Sequence, residues 1–86
     1  MRKGRVREIL ESMVWDARYE RRVYRIVFRD RGKPNDISEV RGDEVDIRSD
    51  RIILGDGKEI PHHRILEIWR GKELLYSKGS HLKHQI

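Results

Sequence analysis

The chain has 86 residues, 41% of them charged, a net charge of +5 and no cysteine. That length allows one domain with one modest core, and the lack of thiols excludes disulfides and thiolate zinc sites. The longest apolar runs, Ile52-Ile53-Leu54 and Ile26-Val27-Phe28, are far too short to cross a membrane. The opening Met1-Arg2-Lys3-Gly4 is basic, but it leads into an amphipathic pattern and not into the apolar core of a signal peptide. A soluble, cytoplasmic protein is expected. Many charges beside a single Asn (Asn35) and a single Gln (Gln85) lean toward a thermophile's composition.

Val6, Ile9, Leu10 and Met13 follow the i, i+3, i+4, i+7 stripe of an amphipathic helix over about residues 5–13. Arg7 and Glu11 can pair on its outer face. Residues 14–21 lose that period and read as a structured loop around Trp15, Asp16 and Tyr19. From Arg22 to Arg31 the period becomes two, with Tyr24, Ile26 and Phe28 on one face and Arg25, Val27, Arg29 and Arg31 on the other. This predicts a half-buried strand with a basic exposed side. Gly32-Lys33-Pro34-Asn35-Asp36 is a loop by its turn chemistry. Residues 37–40 and 44–48 fit either short strands or helical turns.

Residues 51–54 and 58–60 read as a hairpin around Asp56-Gly57, and residues 65–70 and 73–76 as a second around Gly71-Lys72. Residues 79–86 have no period and read as a flexible tail following a single domain over 1–78. A helix followed by short antiparallel strands predicts an α+β domain, with the N-terminal helix packed on a curled sheet or small barrel.

The positive charge is uneven. Residues 1–33 hold eleven Lys or Arg against five acids, whereas residues 34–86 hold nine against ten. Such concentration favours a polyanion, RNA or DNA, over a membrane surface, because no hydrophobic anchor accompanies it. Lys3, Arg5, Arg7, Arg25 and Arg29 read as diffuse attraction for a phosphate backbone, which adds affinity but little sequence preference. Equally, these groups can be solvated arginines paired with nearby acids.

Ile60-Pro61-His62-His63-Arg64-Ile65 places imidazoles and a guanidinium where a proline interrupts a strand-like run. Arg presents a planar fork of donors that matches phosphate, and His adds a donor whose charge adjusts near neutral pH. The alternative is ordinary surface, with an imidazole fixing the turn. Acid–base hydrolysis of a phosphate ester needs two groups flanking the phosphorus. The neighbours His62 and His63 cannot easily flank it, which would leave His81 or His84 to supply the second. No Walker or dinucleotide glycine loop is present, and four His without Cys give no metal-ligand spacing. No catalytic residue, metal or cofactor is therefore expected.

The stretches Val6-Arg7-Glu8-Ile9-Leu10 and Trp15-Asp16-Ala17-Arg18-Tyr19, then Arg31-Gly32, then Ile60 to Ile68 and the Gly71 hairpin, form an ordered set over about residues 5–77. In this the chain resembles a small, largely archaeal uncharacterised family described as the RNA cyclic group end recognition domain. Asp30 departs from the His that relatives carry before the Arg-Gly, and Tyr76 from their Trp. The resemblance implies a non-catalytic domain that binds RNA termini, including 2′,3′-cyclic phosphate ends, in RNA processing or repair. Arg31, His63 and Arg64 are the expected phosphate contacts. Trp15 is a candidate base-stacking platform, since aromatics stack on unpaired bases. Two rival readings are a module that docks an RNA-processing enzyme and a phosphodiesterase acting on RNA ends.

Overall fold

The stripe Val6, Ile9, Leu10 and Met13 becomes the buried face of α1 (Arg5–Trp15) in the computed structural model, which describes residues 4–32 and 34–78. The helix runs two residues beyond its apolar stripe and stops at Asp16, whose backbone is extended while its N–H still bonds the Ser12 carbonyl at 2.8 Å. Seven strands follow among the described residues: β1 (Tyr24–Arg29), β2 (Ile37–Arg41), β3 (Val45–Ile47), β4 (Arg51–Leu54), β5 (Glu59–Pro61), β6 (Ile65–Arg70) and β7 (Glu73–Ser77). The stretches that fitted either strand or helical turn are thus β2 and β3. The expected tail at 79–86 lies outside the described residues, as do Lys3, His81 and His84. Among the described residues no helix is long and apolar enough to cross a membrane.

The strands form two antiparallel sheets, a four-stranded one in the order β2-β1-β6-β7 and a three-stranded one in the order β3-β4-β5. The α+β class is as expected, but the barrel is not closed. The reason lies in the crossings between sheets. Short 3-10 turns at Gly42–Glu44 and His62–Arg64 carry the chain from β2 to β3 and from β5 to β6, so these consecutive strands do not pair. Pro61, the last residue of β5, has no N–H to extend a ladder. Tyr24, Ile26 and Phe28 of β1 face inward as the alternation predicted. They meet α1, Ile65 and Ile68 of β6, and Val45, Ile52 and Ile60 of the smaller sheet in one core. Each of these larger side chains contributes about 1.5–3 kcal/mol by leaving water.

The first crossing is tightly fitted. The Arg21 guanidinium donates to the Gly42 carbonyl at 3.1 Å and the Val45 carbonyl at 2.6 Å, bridging the start of β1 to the 3-10 turn. A Cβ on the buried Gly42 would stand 2.5 Å from the Arg21 carbonyl oxygen and 2.5 Å from Met13 Sδ. The Met13 thioether can swing aside, but the carbonyl belongs to the fixed backbone. Gly42→Ala is therefore expected to destabilise the domain by about 1–3 kcal/mol in thermal or chemical unfolding. Gly55→Ala, with no atom within 4 Å of the added methyl, should unfold close to the wild type.

Candidate nucleic-acid interface

Most guanidinium groups of this chain are already engaged. Arg5, Arg7, Arg18, Arg22, Arg25, Arg41, Arg48, Arg51 and Arg70 each lie within 3.8 Å of an Asp or Glu oxygen. Arg21 is held by backbone carbonyls. Among the described residues, Arg29, Arg31 and Arg64 are the arginines that remain without a carboxylate or carbonyl partner. Arg25 also covers the Trp69 ring at 5.2 Å while pairing with Glu39 at 3.3 Å. Of the residues expected to attract RNA diffusely, Arg5, Arg7 and Arg25 are thus partly neutralised by neighbours, and Arg29 is not.

The unpaired arginines share one end of the larger sheet. Arg29 closes β1, and its partner across the ladder is Ile37, the first residue of β2. Glu39, opposite Val27, lies diagonal to both Arg25 and Arg29 and pairs with Arg25. Arg31 stands two residues further on, in the turn after β1 and not in the strand, and is exposed. Arg64 immediately precedes Ile65, which pairs with Phe28, so it enters the sheet beside the place where Arg29 leaves it. The register shifts there, with Val27 opposite Glu67 and Phe28 opposite Ile65, which leaves Leu66 as an extra residue. Bulges of this kind re-aim neighbouring side chains and are common beside functional sites.

A buried carboxylate fixes the loop that carries Arg31. Asp30 is 5% exposed and accepts from Ser38 Oγ at 2.7 Å and from Lys58 Nζ at 2.7 Å, while its N–H bonds the Asp36 carbonyl at 2.8 Å. The loop closes through left-handed backbone at Gly32 (φ 90°), Asn35 (φ 65°) and Asp36 (φ 54°). Asp30 is therefore an anchor of the loop, which is a role for the one residue that departs from the expected His.

His62 and His63 share a 3-10 turn, His62 half-buried and His63 exposed. The His62 N–H bonds the Asp50 carbonyl at 3.0 Å, and its half-buried imidazole lies toward Asp50, Arg7 and the backbone of Arg48 and Arg51. Burial pushes the His62 pKa below the ordinary imidazole value. His63 is exposed, and its carbonyl accepts from Lys78 Nζ. The Lys78 N–H bonds the Leu66 carbonyl at 2.8 Å. That ties the chain after β7 to the same end of the sheet. His63 and Arg64 thus join Arg29 and Arg31 at one edge.

Trp15 stands apart from them. Its indole is 72% exposed at the end of α1, where Val14, Ile47, Glu11, Arg48 and Ser49 line a groove of about 360 Å³ with it. The basic outer face expected of β1 is also less uniform than its alternation implied. Val27 is only 9% exposed, set between Glu39 and Glu67 on the flanking strands.

The segment from Trp15 to Tyr19 is held by its own charges. Asp16, with a side chain 8% exposed, accepts from the Arg18 N–H at 3.1 Å and takes both Nε at 3.0 Å and Nη2 at 2.9 Å of its guanidinium. Arg70 lies 4.1 Å from the centre of the Tyr19 ring, which docks this segment on β6.

The profile of the MJ1316 RNA cyclic group end recognition domain matches residues 1–78, and the chain belongs to that family. It is 32% identical over 68 residues to a UPF0248 protein of Thermococcus onnurineus, covering 79% of this chain and 77% of that one. It is also 35% identical over 75 residues to UPF0248 protein MJ1316 of Methanocaldococcus jannaschii (85% and 92% covered). With a UPF0248 protein of Archaeoglobus fulgidus it shares 36% identity over 70 residues (80% and 99% covered). No solved structure matches the chain.

Two stability measurements test the anchors described above. Asp30→Ala removes one side of a buried ion pair and leaves Ser38 and Lys58 without that acceptor. With Lys58 half-exposed and able to be solvated, it should cost about 1–3 kcal/mol of unfolding free energy. The second concerns Asp16, whose carboxyl is lowered to about 2, first by the Arg18 guanidinium and then by the Arg18 N–H. Because the folded state favours the ionised form, this contribution is complete above the ordinary carboxylate value of about 3.9 and fades as pH falls through about 2. Asp16→Asn should therefore lower Tm at neutral pH, and the gap to the wild type should close as the pH falls.

Proposed function

We propose that this domain binds RNA ends without catalysing their conversion, and that it prefers a terminal 2′,3′-cyclic phosphate. The family description, RNA cyclic group end recognition, supplies the ligand class. One observation carries the assignment of the site: the described arginines that lack a protein partner, Arg29, Arg31 and Arg64, gather at one end of the larger sheet. A guanidinium already held by a carboxylate must give up that bond to meet a phosphate, whereas an unpaired one need not. In this reading Arg29, Arg31 and Arg64 offer forked donors to the phosphate oxygens. His63, exposed beside them, reaches a phosphate oxygen or a ribose hydroxyl. Lys3, Arg5, Arg7 and Arg25 add weaker attraction at a distance.

A binding role fits the chemistry of this set. Guanidinium groups stay protonated at any physiological pH, so they can neutralise a phosphate but cannot relay its protons. His62 and His63 share one 3-10 turn, the first half-buried and the second exposed, an arrangement unsuited to placing an acid and a base on opposite sides of one phosphorus. The reading places the domain beside enzymes of RNA processing in the cytoplasm, as the component that holds the end.

The test uses labelled RNAs of one sequence ending in a cyclic phosphate, a 3′-phosphate or a hydroxyl. The cyclic end should bind most tightly, and Arg64→Ala or Arg29→Ala should each weaken it by about 1.5–3 kcal/mol, the range for hydrogen bonds to charged groups. Arg31→Lys should recover less than full affinity, because an ammonium cannot bind in the forked manner. Across a salt series, each phosphate neutralised adds about −0.7 to the slope of log K against log salt, so binding should weaken as salt rises. Equal affinity for all three ends would sink the proposal.

A further inference from the structure

Outside the arginine cluster, the least explained feature of the surface is the groove at the end of α1. Trp15 is 72% exposed there and Val14 53% exposed. Ile47, at the end of β3, completes an apolar wall, and Glu11, Arg48 and Ser49 supply polar groups. An indole left in solvent costs the domain stability that burial would provide, and nothing in the fold requires it. The groove's volume of about 360 Å³ sits at the small end of ligand sites, which run from about 300 to 1,000 Å³. An aromatic wall with a few hydrogen-bonding groups on its rim suits a flat, polar-edged heterocycle.

The groove and the arginine cluster are joined by one short turn. The Arg48 and Ser49 side of the groove belongs to the β3–β4 turn, and the Asp50 carbonyl in that turn holds the His62 N–H at 3.0 Å. Two residues later Arg64 enters β6 beside Arg29. From Ser49 on the groove wall, the path through that 3.0 Å contact to Arg64 takes three residue steps and spans no more than roughly 17 Å, a reach of a few nucleotides. The apolar side chain of a peptide would also fill such a groove, but it would make no use of the unpaired cations beside it. A polyanion whose units carry a flat base uses both.

We infer that the Trp15 groove is a nucleobase subsite, in which a base at or near the RNA end stacks on the indole while the terminal phosphate lies against the arginines. The inference rests on the RNA-end reading and deepens it, because it supplies a contact to the base that the phosphate cluster cannot make. Stacking on an aromatic platform is sequence-tolerant, since every base has a π face. The subsite thus distinguishes a nucleotide from a bare phosphate and does not read sequence.

The experiment uses RNAs with a cyclic phosphate end in which one of the last three nucleotides at a time is abasic. They are measured against the wild type, Trp15→Ala, Trp15→Phe and Val14→Glu. Both positions are exposed, so the variants should fold, and unchanged thermal melting verifies this. One abasic position should weaken wild-type binding roughly tenfold or more, within the range expected for base stacking. Trp15→Ala should show a similar loss and no further loss with that abasic RNA, Trp15→Phe should retain most of the affinity, and Val14→Glu should lose it. If every abasic RNA and Trp15→Ala bind as well as the unmodified pair while Arg64→Ala still abolishes end preference, the subsite is wrong and the end reading stands. If the base effect persists with no preference among ends, the subsite stands and the end reading falls. If none of the RNAs is bound, both are overturned.

Discussion

The carboxylate of Asp30 ties together the parts on which the rest of the molecule depends. Among its partners, Ser38 belongs to β2 in the larger sheet and Lys58 to the β4–β5 hairpin of the smaller one. In a domain of this size, where two sheets and one helix share a single core, few contacts beyond hydrophobic packing fix how the sheets sit on each other. A carboxylate out of water is tolerated only when its lone pairs are taken. Both donors must therefore stay in place, and the β1–β2 loop between them is held with its left-handed turn. The position of Arg31 follows from that arrangement, because it is the next residue in the chain.

The same economy governs the surface. By composition the chain is strongly basic, with its excess in the first 33 residues. In the folded domain those arginines are taken mostly by acids close in the chain, Arg5 by Glu8, Arg7 by Glu11, Arg18 by Asp16 and Arg22 by Glu20, while Glu39 of β2 takes Arg25. The net charge remains, but among the described arginines the unpaired ones lie at the end of the sheet where β1 leads into β2. An exposed ion pair adds little to stability. Its larger consequence here is to remove a guanidinium from competition for phosphate, which sharpens a diffuse basic surface into a place.

Much of the architecture was legible in the sequence where the signal is local. The apolar stripe of α1, the alternation of Tyr24, Ile26 and Phe28, and the hairpins at Asp56-Gly57 and Gly71-Lys72 each rest on periodicity or turn chemistry within a few residues. Gly57 (φ 92°) and Gly71 (φ 58°) occupy the left-handed backbone those turns need. What could not be read depends on distant partners. The division into two sheets turns on 3-10 turns that carry no period, and on the buried Gly42, whose need for a missing side chain comes from Arg21 and Met13. Likewise Asp30, between two arginines, reads as surface until Lys58 arrives from 28 residues away. For the site, Arg31, His63 and Arg64 were legible as residue types in a motif. Arg29 was grouped with the diffuse charges, because only the folded contacts show that Glu39, diagonal to both Arg25 and Arg29, is taken by Arg25. Trp15 was read as a candidate stacking platform, but neither its exposure nor its separation from the arginines was legible.

Pro61 shows why the motif serves fold and site together. Its ring removes the N–H that would continue the β4–β5 ladder, so the strand ends and the chain turns through His62–Arg64 into the other sheet. A three-residue turn between two sheets cannot bury all its side chains. His62 is drawn toward the backbone of β4 and the turn before it, which leaves His63 exposed and Arg64 half-buried at the end of the sheet where β6 begins. A continuous strand through these positions would have carried Arg64 along one sheet instead of delivering it beside Arg29. The cationic cluster is thus a consequence of how the domain changes sheets. A set made mostly of guanidinium groups fixed to backbone in this way presents forked donors suited to an anion.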